Sequence, residues 1–372
     1  MECRDTFRLV FPKFMPLAYT RDAGYLSVAD NVHDYPLQLA AGVGIVGVLL
    51  LYGVFVWAAV RTFKLVFGKS QDLNRVVLGA LWVACCAYLV QLLFGLSVTG
   101  NTFLLWAFMG AVLSPTAKVV DVKAQAWGPA AGSVLCVLAV LGIAYQFVIL
   151  GADRQYLLAR VYYQGSQRTA ATLEAVKLNP FNDMYKAEVG LAYTDELLAI
   201  DQQISDAQQQ GQPVGQYQAL AQQKFVAAEA AMLTTIAFVP DEYDNYVFLA
   251  NLYNIAGQIL DPAYYEKAVA IADRGIAVEP FGPAIRVQRA HALVGLNRLD
   301  DALKDASSAV SMDPTYTEAT QLLADIYIRQ GRKDLALKAL SAFPPGWPGT
   351  PTIAAEIKSL EASGSAASST AP

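Results

Sequence analysis

The sequence predicts an all-α protein in two parts: about four polytopic transmembrane helices, then an α-solenoid of helical repeats. Three observations carry this. Charge-free apolar runs of spanning length occur only in the first 152 of 372 residues, and residues 153–361 carry charges throughout. The mean hydropathy of +0.34 therefore averages two different compositions. In the second part, prolines recur where helical segments end, and the last two lie 34 residues apart, at Pro280 and Pro314.

Residues 1–34 are expected to form an extracytoplasmic loop segment. Arg4, Arg8, Lys13 and Arg21 alternate there with Phe7, Phe11, Phe14 and Tyr19. This pattern suits an interfacial loop, with rings at headgroup level and cations on lipid phosphate, or a loop facing the phosphates of a lipid-linked substrate. Residues 35–152 form the expected transmembrane domain. No charge occurs from Tyr35 to Val60, which gives the first span. Its Gly42-Val43-Gly44-Ile45-Val46-Gly47 matches GxGxxG formally, but no strand precedes it and no acid follows at the ribose distance. These glycines are expected to let neighbouring helices approach closely. The charge-free stretch from Val76 to Ala117 is too long for one span. Turn residues at Gly95–Asn101 divide it into spans at about 76–96 and 101–117. The fourth runs from about Trp127 to Leu150, with Gly128 and Gly132 as a small-xxx-small face.

The loops at 61–75 and 118–125 hold six Lys or Arg against two acids, and the 95–101 turn holds no charge. The basic loops are then cytoplasmic. Four crossings return the chain to its starting side, so the repeats are expected outside the cytoplasm. If 101–117 is re-entrant, the repeats face the cytoplasm instead.

After Gly151 come Leu178-Asn179-Pro180, Phe238-Val239-Pro240, Val278-Glu279-Pro280 and Met312-Asp313-Pro314. A period of 34 is that of a tetratricopeptide repeat. In that register Ala268, Gly275, Ala290, Ala302, Ala309, Ala324 and Ala336 fall where paired helices touch, and Leu323, Tyr327 and Gly331 take other consensus positions. Four to five repeats are expected over about 153–345. Each hairpin hides its apolar face only by stacking, and the concave face of such an array takes a protein partner. His291, beside Ala290, reads as a packing or surface residue. Residues 346–372 end in small residues and read as a tail, partly disordered.

The net charge is −5, and from Asp153 to Glu361 there are 17 Lys/Arg against 25 Asp/Glu. That balance excludes a nucleic-acid partner, which needs a basic face. Cys85, Cys86 and Cys136 lie in apolar spans and Cys3 is alone, so no metal or redox spacing arises. No serine elbow, zincin pair or P-loop occurs, and neither cofactor nor metal is expected.

One chemical constellation stands out. His33, between Asp30 and Asp34, lies at the mouth of the first span, after four basic residues. Imidazole can take a proton from an acceptor hydroxyl, a carboxylate can fix its tautomer, and guanidinium groups can hold a diphosphate leaving group. Asn31-Val32-His33-Asp34-Tyr35-Pro36-Leu37-Gln38-Leu39-Ala40-Ala41, followed by Val43-Gly44-Ile45-Val46-Gly47, resembles the His-Asn-x-x-Leu-Gln signature of the O-antigen ligase and polymerase superfamily. Asp5-Thr6-Phe7-Arg8, and Gly95–Gly110 with Phe103 and Trp106, resemble its neighbouring segments, and some members carry a C-terminal tetratricopeptide array. The resemblance implies a bacterial plasma (inner) membrane protein that transfers a glycan from a polyprenyl diphosphate carrier without a metal. It implies His33 as the catalytic residue, with Asp34 and Gln38 supporting. Asp34 stands where the family has Asn, and Pro36 where it has a bulky residue. The family's first nine or so spans and its diphosphate-binding arginines have no counterpart here. The chain is therefore expected to be the C-terminal portion of such a glycosyltransferase, inactive without its N-terminal membrane half. The alternative expectation is a non-catalytic, membrane-anchored repeat scaffold of the cell envelope.

Overall fold

The computed structural model describes residues 9, 11–23, 34–67, 73–95, 99–117 and 128–368, and among these the regular structure is entirely helical. A 3₁₀ turn at Phe11–Phe14 precedes α1 (Leu17–Ala23). Next come α2 (Tyr35–Phe67), α3 (Leu73–Gln91), α4 (Thr99–Leu113) and α5 (Gly128–Val161). The repeat region holds α6 (Gly165–Leu178), α7 (Asp183–Gln209), α8 (Gly215–Phe238), α9 (Tyr243–Ile259) and α10 (Tyr264–Val278). It continues with α11 (Pro283–Gly295), α12 (Leu299–Met312), α13 (Thr317–Arg329), α14 (Lys333–Ser341) and α15 (Thr350–Ser368). The chain divides into two compact units: residues 1–11 with 28–133, and residues 12–27 with 134–372.

In the first unit, α2 packs on α3 and α4, and α3 on α4. Phe55 and Ala58 of α2 meet Cys85 of α3 and Leu105 and Met109 of α4 in a buried cluster. Thr62 is buried there without cost, because its Oγ1 donates to the Ala58 carbonyl of its own helix at 2.8 Å. Tyr88 and Thr102 share a hydrogen bond of 2.9 Å between α3 and α4. The Tyr35 N–H donates to the Leu92 carbonyl at 3.0 Å, which fixes the start of α2 beside the end of α3.

Tyr35–Phe67, Asn74–Gln91 and Ala130–Val161 are long and apolar enough to cross a membrane. The expected third span, α4, has 15 residues, about 22 Å of helix, which is short of a 30 Å hydrocarbon core. A β-carbon added to Gly42, Gly44 or Gly132 would meet no atom within 4 Å, so among the described residues no neighbouring helix approaches at these three glycines. Gly44 instead interrupts α2 with φ 75° and ψ 169°, a conformation that suits a residue without Cβ.

After residues 12–27, the second unit takes up the apolar, exposed stretch of α5 and continues into five helical pairs. The helix that carries the expected fourth span does not end at Leu150; α5 runs unbroken to Val161. Its last three turns are the first helix of the array. There Ala152, Tyr156 and Ala159 turn inward, and Ala152 clusters with Ala175 and Tyr185. The later pairs are α7 with α8, α9 with α10, α11 with α12, and α13 with α14.

The prolines make the four inter-pair turns alike. The N–H groups of Asn179, Val239, Glu279 and Asp313 each donate to the residue four back: Ala175, Thr235, Gly275 and Ala309. The N–H groups of Asn182, Glu242, Gly282 and Tyr316 then close a turn onto Asn179, Val239, Glu279 and Asp313. Proline therefore stands at the second position of each β-turn, where its fixed φ fits and its missing N–H is not needed.

Most of the expected tail, 346–372, is helix. Helix α15 covers Thr350–Ser368, and its Ile353, Ile357 and Leu360 pack on Ala324, Ala336, Leu340 and Phe343, closing the apolar end of the last pair. Part of the expected N-terminal loop also lies against the array. Lys13 pairs with Asp241 at 3.1 Å, Thr20 Oγ1 lies 3.5 Å from the Phe281 carbonyl, and Arg21 donates to the Ser311 carbonyl at 3.4 Å. Met15 and Thr20 are buried, and Lys13 and Arg21 make protein contacts here.

Candidate functional site: the inner face of the array

Small residues let the array form. At the eighth position of successive first helices stand Gly190, Ala250, Ala290 and Ala324, and a β-carbon added to Gly190 would lie 2.6 Å from Met232. At the proline-minus-five position stand Ala175, Thr235, Gly275 and Ala309, all buried. Wherever a helix crosses its neighbour at these points, backbone meets side chain with no room for a larger group.

The first helices α7, α9, α11 and α13 pack side by side, and α10, α12 and α14 stand behind them. The array therefore presents a face made of first helices. Between α10, α11 and α12, Arg289 forks to Asp305 with two bonds of 2.7 Å and reaches Asp273 on its other side. Arg286 lies 3.9 Å from the same, nearly buried Asp305. In the first pairs, Arg168 similarly holds Glu188 and Asp195. These pairs lock hairpins in register, since a lone buried Asp305 or Glu188 would be costly.

Polar side chains link the first helices across the face. Asn254 Nδ2 donates to the Gln288 carbonyl at 2.8 Å and to its Oε1 at 3.1 Å. His291 Nε2 meets Glu318 Oε1 at 3.3 Å, and Tyr316 donates to the other Glu318 oxygen at 3.1 Å. The His291 bond, aided by Tyr316, holds the Glu318 carboxyl below the usual carboxylate range against the opposing effect of burial. Gln321 donates to Glu356 of α15 at 3.0 Å. Asp325 and Arg329 continue the line, paired at 3.2 Å. The face thus offers amides and carboxylates along a curved surface. That set can bind the backbone and cationic side chains of an extended peptide; it contains no nucleophile–base pair.

Of the residues expected to do chemistry, two are described. His33 is outside the described residues. Asp34 is described, and its Oδ1 accepts the Leu37 N–H at 2.9 Å, so it caps α2. Gln38 lies in the first turn of α2, half-buried, with its N–H on the Asp34 carbonyl at 2.9 Å. His291 is a half-exposed surface residue paired with Glu318, in keeping with its reading from sequence. Among the described residues, no three His, Cys, Asp or Glu side chains converge as a metal site. Sequence reasoning missed the Arg289–Asp305–Asp273 clasp. Its charges are 16 residues apart in each direction, a spacing with no meaning until hairpins stack.

The tetratricopeptide repeat family model matches residues 293–349. Over 76 residues the chain is 42% identical to a TPR repeat-containing thioredoxin of Arabidopsis thaliana, covering 20% of this chain and 11% of that protein. Over 72 residues it is 40% identical to an inactive TPR repeat-containing thioredoxin of the same plant, covering 19% and 10%. The chain thus spans about a tenth of the length of these curated relatives. Among solved structures, a thermophilic TPR protein of Thermus thermophilus aligns with a TM-score of 0.41 at 18% identity, over 58% of this chain and 98% of that one. MamA of Desulfovibrio magneticus aligns with a TM-score of 0.38 at 13% identity, over 59% and 96%. The C-terminal part of the chain carries tetratricopeptide repeats.

Proposed function

We propose that this protein is a membrane-anchored tetratricopeptide scaffold that holds a protein partner on the inner face of its array. The observation that carries the reading is α5. One helix joins an exposed apolar stretch, Val134–Leu150, to the first helix of the array with no linker between them. Exposed apolar surface of that length has bilayer lipid as its natural solvent. Buried Ala152 and Ala159 then fasten the anchor to the repeats. The inner face carries Glu318 and Asp325, paired with His291 and Arg329, and its amides and carboxylates suit a partner segment that offers backbone groups and Lys or Arg.

The proposal keeps α4 as the short third of four crossings. The basic loops then face the cytoplasm and the array lies outside it, in a bacterial plasma membrane. Glycan transfer from a polyprenyl diphosphate carrier rests on the resemblance around His33 alone, whereas the family match concerns the array. The scaffold reading is therefore preferred.

A photo-crosslinking amino acid placed at His291 and, separately, at outer-face Lys304 tests the reading in cells. A discrete protein adduct at 291 and none at 304 is the expected result; equal adducts at both would overturn it. A reporter fused after Gly349 is expected to be active only outside the cytoplasm, and cytoplasmic activity would remove α4 as a crossing.

A further inference from the structure

We infer that the turn between α6 and α7, led by Phe181, is seated in the bilayer interface, so that the first hairpin rests on lipid instead of standing clear of it. The inference builds on the reading of α5 as a membrane helix.

The geometry begins at Gly151. Ile143, Phe147 and Leu150 are exposed, and Asp153 and Arg154 are the first charges after a charge-free run that begins at Ala124. The membrane boundary on α5 therefore falls within one turn of Gly151. Helix α6 runs back along the end of α5, and Leu178 Cδ1 lies 3.7 Å from where a Gly151 Cβ would stand. The last turn of α6 is thus level with that boundary. The chain continues through Asn179, Pro180 and Phe181 before α7 turns it round, which carries Phe181 further towards the apolar stretch.

Phe181 is 72% exposed and Met184, in the first turn of α7, is 50% exposed. The loop is held, not loose. Asn179 Oδ1 accepts the Phe181 N–H at 3.3 Å, Asn182 Oδ1 accepts the Tyr185 N–H at 3.2 Å, and the Tyr185 hydroxyl donates to Asp153 of α5. The Tyr185 ring packs 5.0 Å from that of Tyr156.

The equivalent turns differ. Asp241 and Thr315 occupy the Phe181 position in the second and fourth, and Phe281, in the third, is half-buried and bonded through its carbonyl to Thr20. Of the four turns, the one beside α5 alone carries a bare aromatic ring. Charges at this level cancel, with Arg154, Lys177 and Lys186 against Asp153, Glu174 and Asp183. The occupant is therefore the acyl–headgroup boundary of a bilayer, met through apolar contact and without a need for anionic lipid.

The full chain, with its four cysteines replaced by alanine, is reconstituted in phosphatidylcholine vesicles. A nitroxide is attached at Phe181→Cys, Met184→Cys, Leu141→Cys or Gln209→Cys, one at a time. Collision with oxygen, which partitions into lipid, is compared with collision with a water-soluble nickel complex. Labels at 141, 181 and 184 are expected in the oxygen-favouring class and the label at 209 in the nickel-favouring class, with the same ranking when phosphatidylglycerol is added. If 181 and 184 behave like 209 while 141 stays oxygen-favouring, the seated hairpin is overturned and the membrane helix stands. If 141 itself favours nickel, the reading of α5 fails and the inference fails with it.

Discussion

Glu279 closes α10 where two of the other turns carry shorter side chains that bond inward. Asn179 Oδ1 accepts the Phe181 N–H, and Asp313 Oδ1 accepts both the Thr315 N–H at 2.8 Å and its hydroxyl at 2.6 Å. Glu279 meets Asp244 and Glu242 instead. Burial first, then these two carboxylates, push it up from its ordinary 4.5 to about 7. A raised folded-state value means the contribution to stability is whole below about pH 4.5 and is lost as pH rises through about 7. Glu279→Gln is therefore expected to melt like the parent at pH 4 and to be more stable at pH 8, by about 1–3 kcal/mol. Thermal melts in detergent at both pH values check this; equal stability at pH 8 would remove the carboxylate from the account. Gly275 makes the opposite point, about space. A β-carbon there would lie 2.9 Å from Ile285 Cγ1 and from Tyr246 Cβ. Gly275→Val should cost about 1–3 kcal/mol by overpacking, read as a lower melting temperature. Gly331→Ala has open space and loses only at its φ of 74°, so it should cost less.

At the level of elements, the two parts of the chain differ in legibility for a physical reason. The proline turns announce themselves because each needs a fixed φ and no donor at one position. Small residues at 34-residue spacing announce the repeats because close helix contact tolerates nothing else. The first two pairs carry the same turn and the same small positions, Gly190 and Thr235, but longer helices in α7 and α8 hide the period. Helix α15 was not legible. Its small residues suit disorder, and only the exposed end of the last pair gives Ile353 somewhere to go. Ile353→Ala is expected to destabilise the last pair by about 2–4 kcal/mol. Hydrogen exchange should show faster exchange in α13–α15 with α7–α10 unchanged; uniform acceleration would mean that α15 does not act as a local cap.

On the scale of the whole molecule, the important feature is that the exposed apolar stretch of α5 and the array share one helix. No run of glycine, proline or serine separates Leu150 from Val161, and the helix propensity of Asp153–Arg160 is unbroken. The array is therefore held at a fixed angle to α5. Spin labels at Leu138 and Asp325 should give a narrow distance distribution in the reconstituted protein. Inserting two glycines after Gly151 should broaden it several-fold, while leaving the helical content of the repeats in place. A distribution that is already broad in the parent would contradict the rigid junction. The candidate site follows the same division. His33 was singled out by a local pattern, and the described neighbouring group Asp34 caps a helix. The inner face, from Asn254 to Gln321, has no local pattern, because its residues come together only across hairpins.

Three properties were already readable along the chain: it is helical, its apolar runs are confined to the first 152 residues, and a repeat array follows. Each of these depends on local composition or on spacing within one strand of sequence. Packing was needed for the rest: that α5 serves both parts, that Lys13 and Arg21 bind the array, and that Arg289 clasps two hairpins. Packing alone also placed Phe181 level with the last apolar turn of α5. Those outcomes depend on which surfaces meet once helices stack. A one-dimensional pattern records that a surface is apolar or charged, but not what lies opposite it.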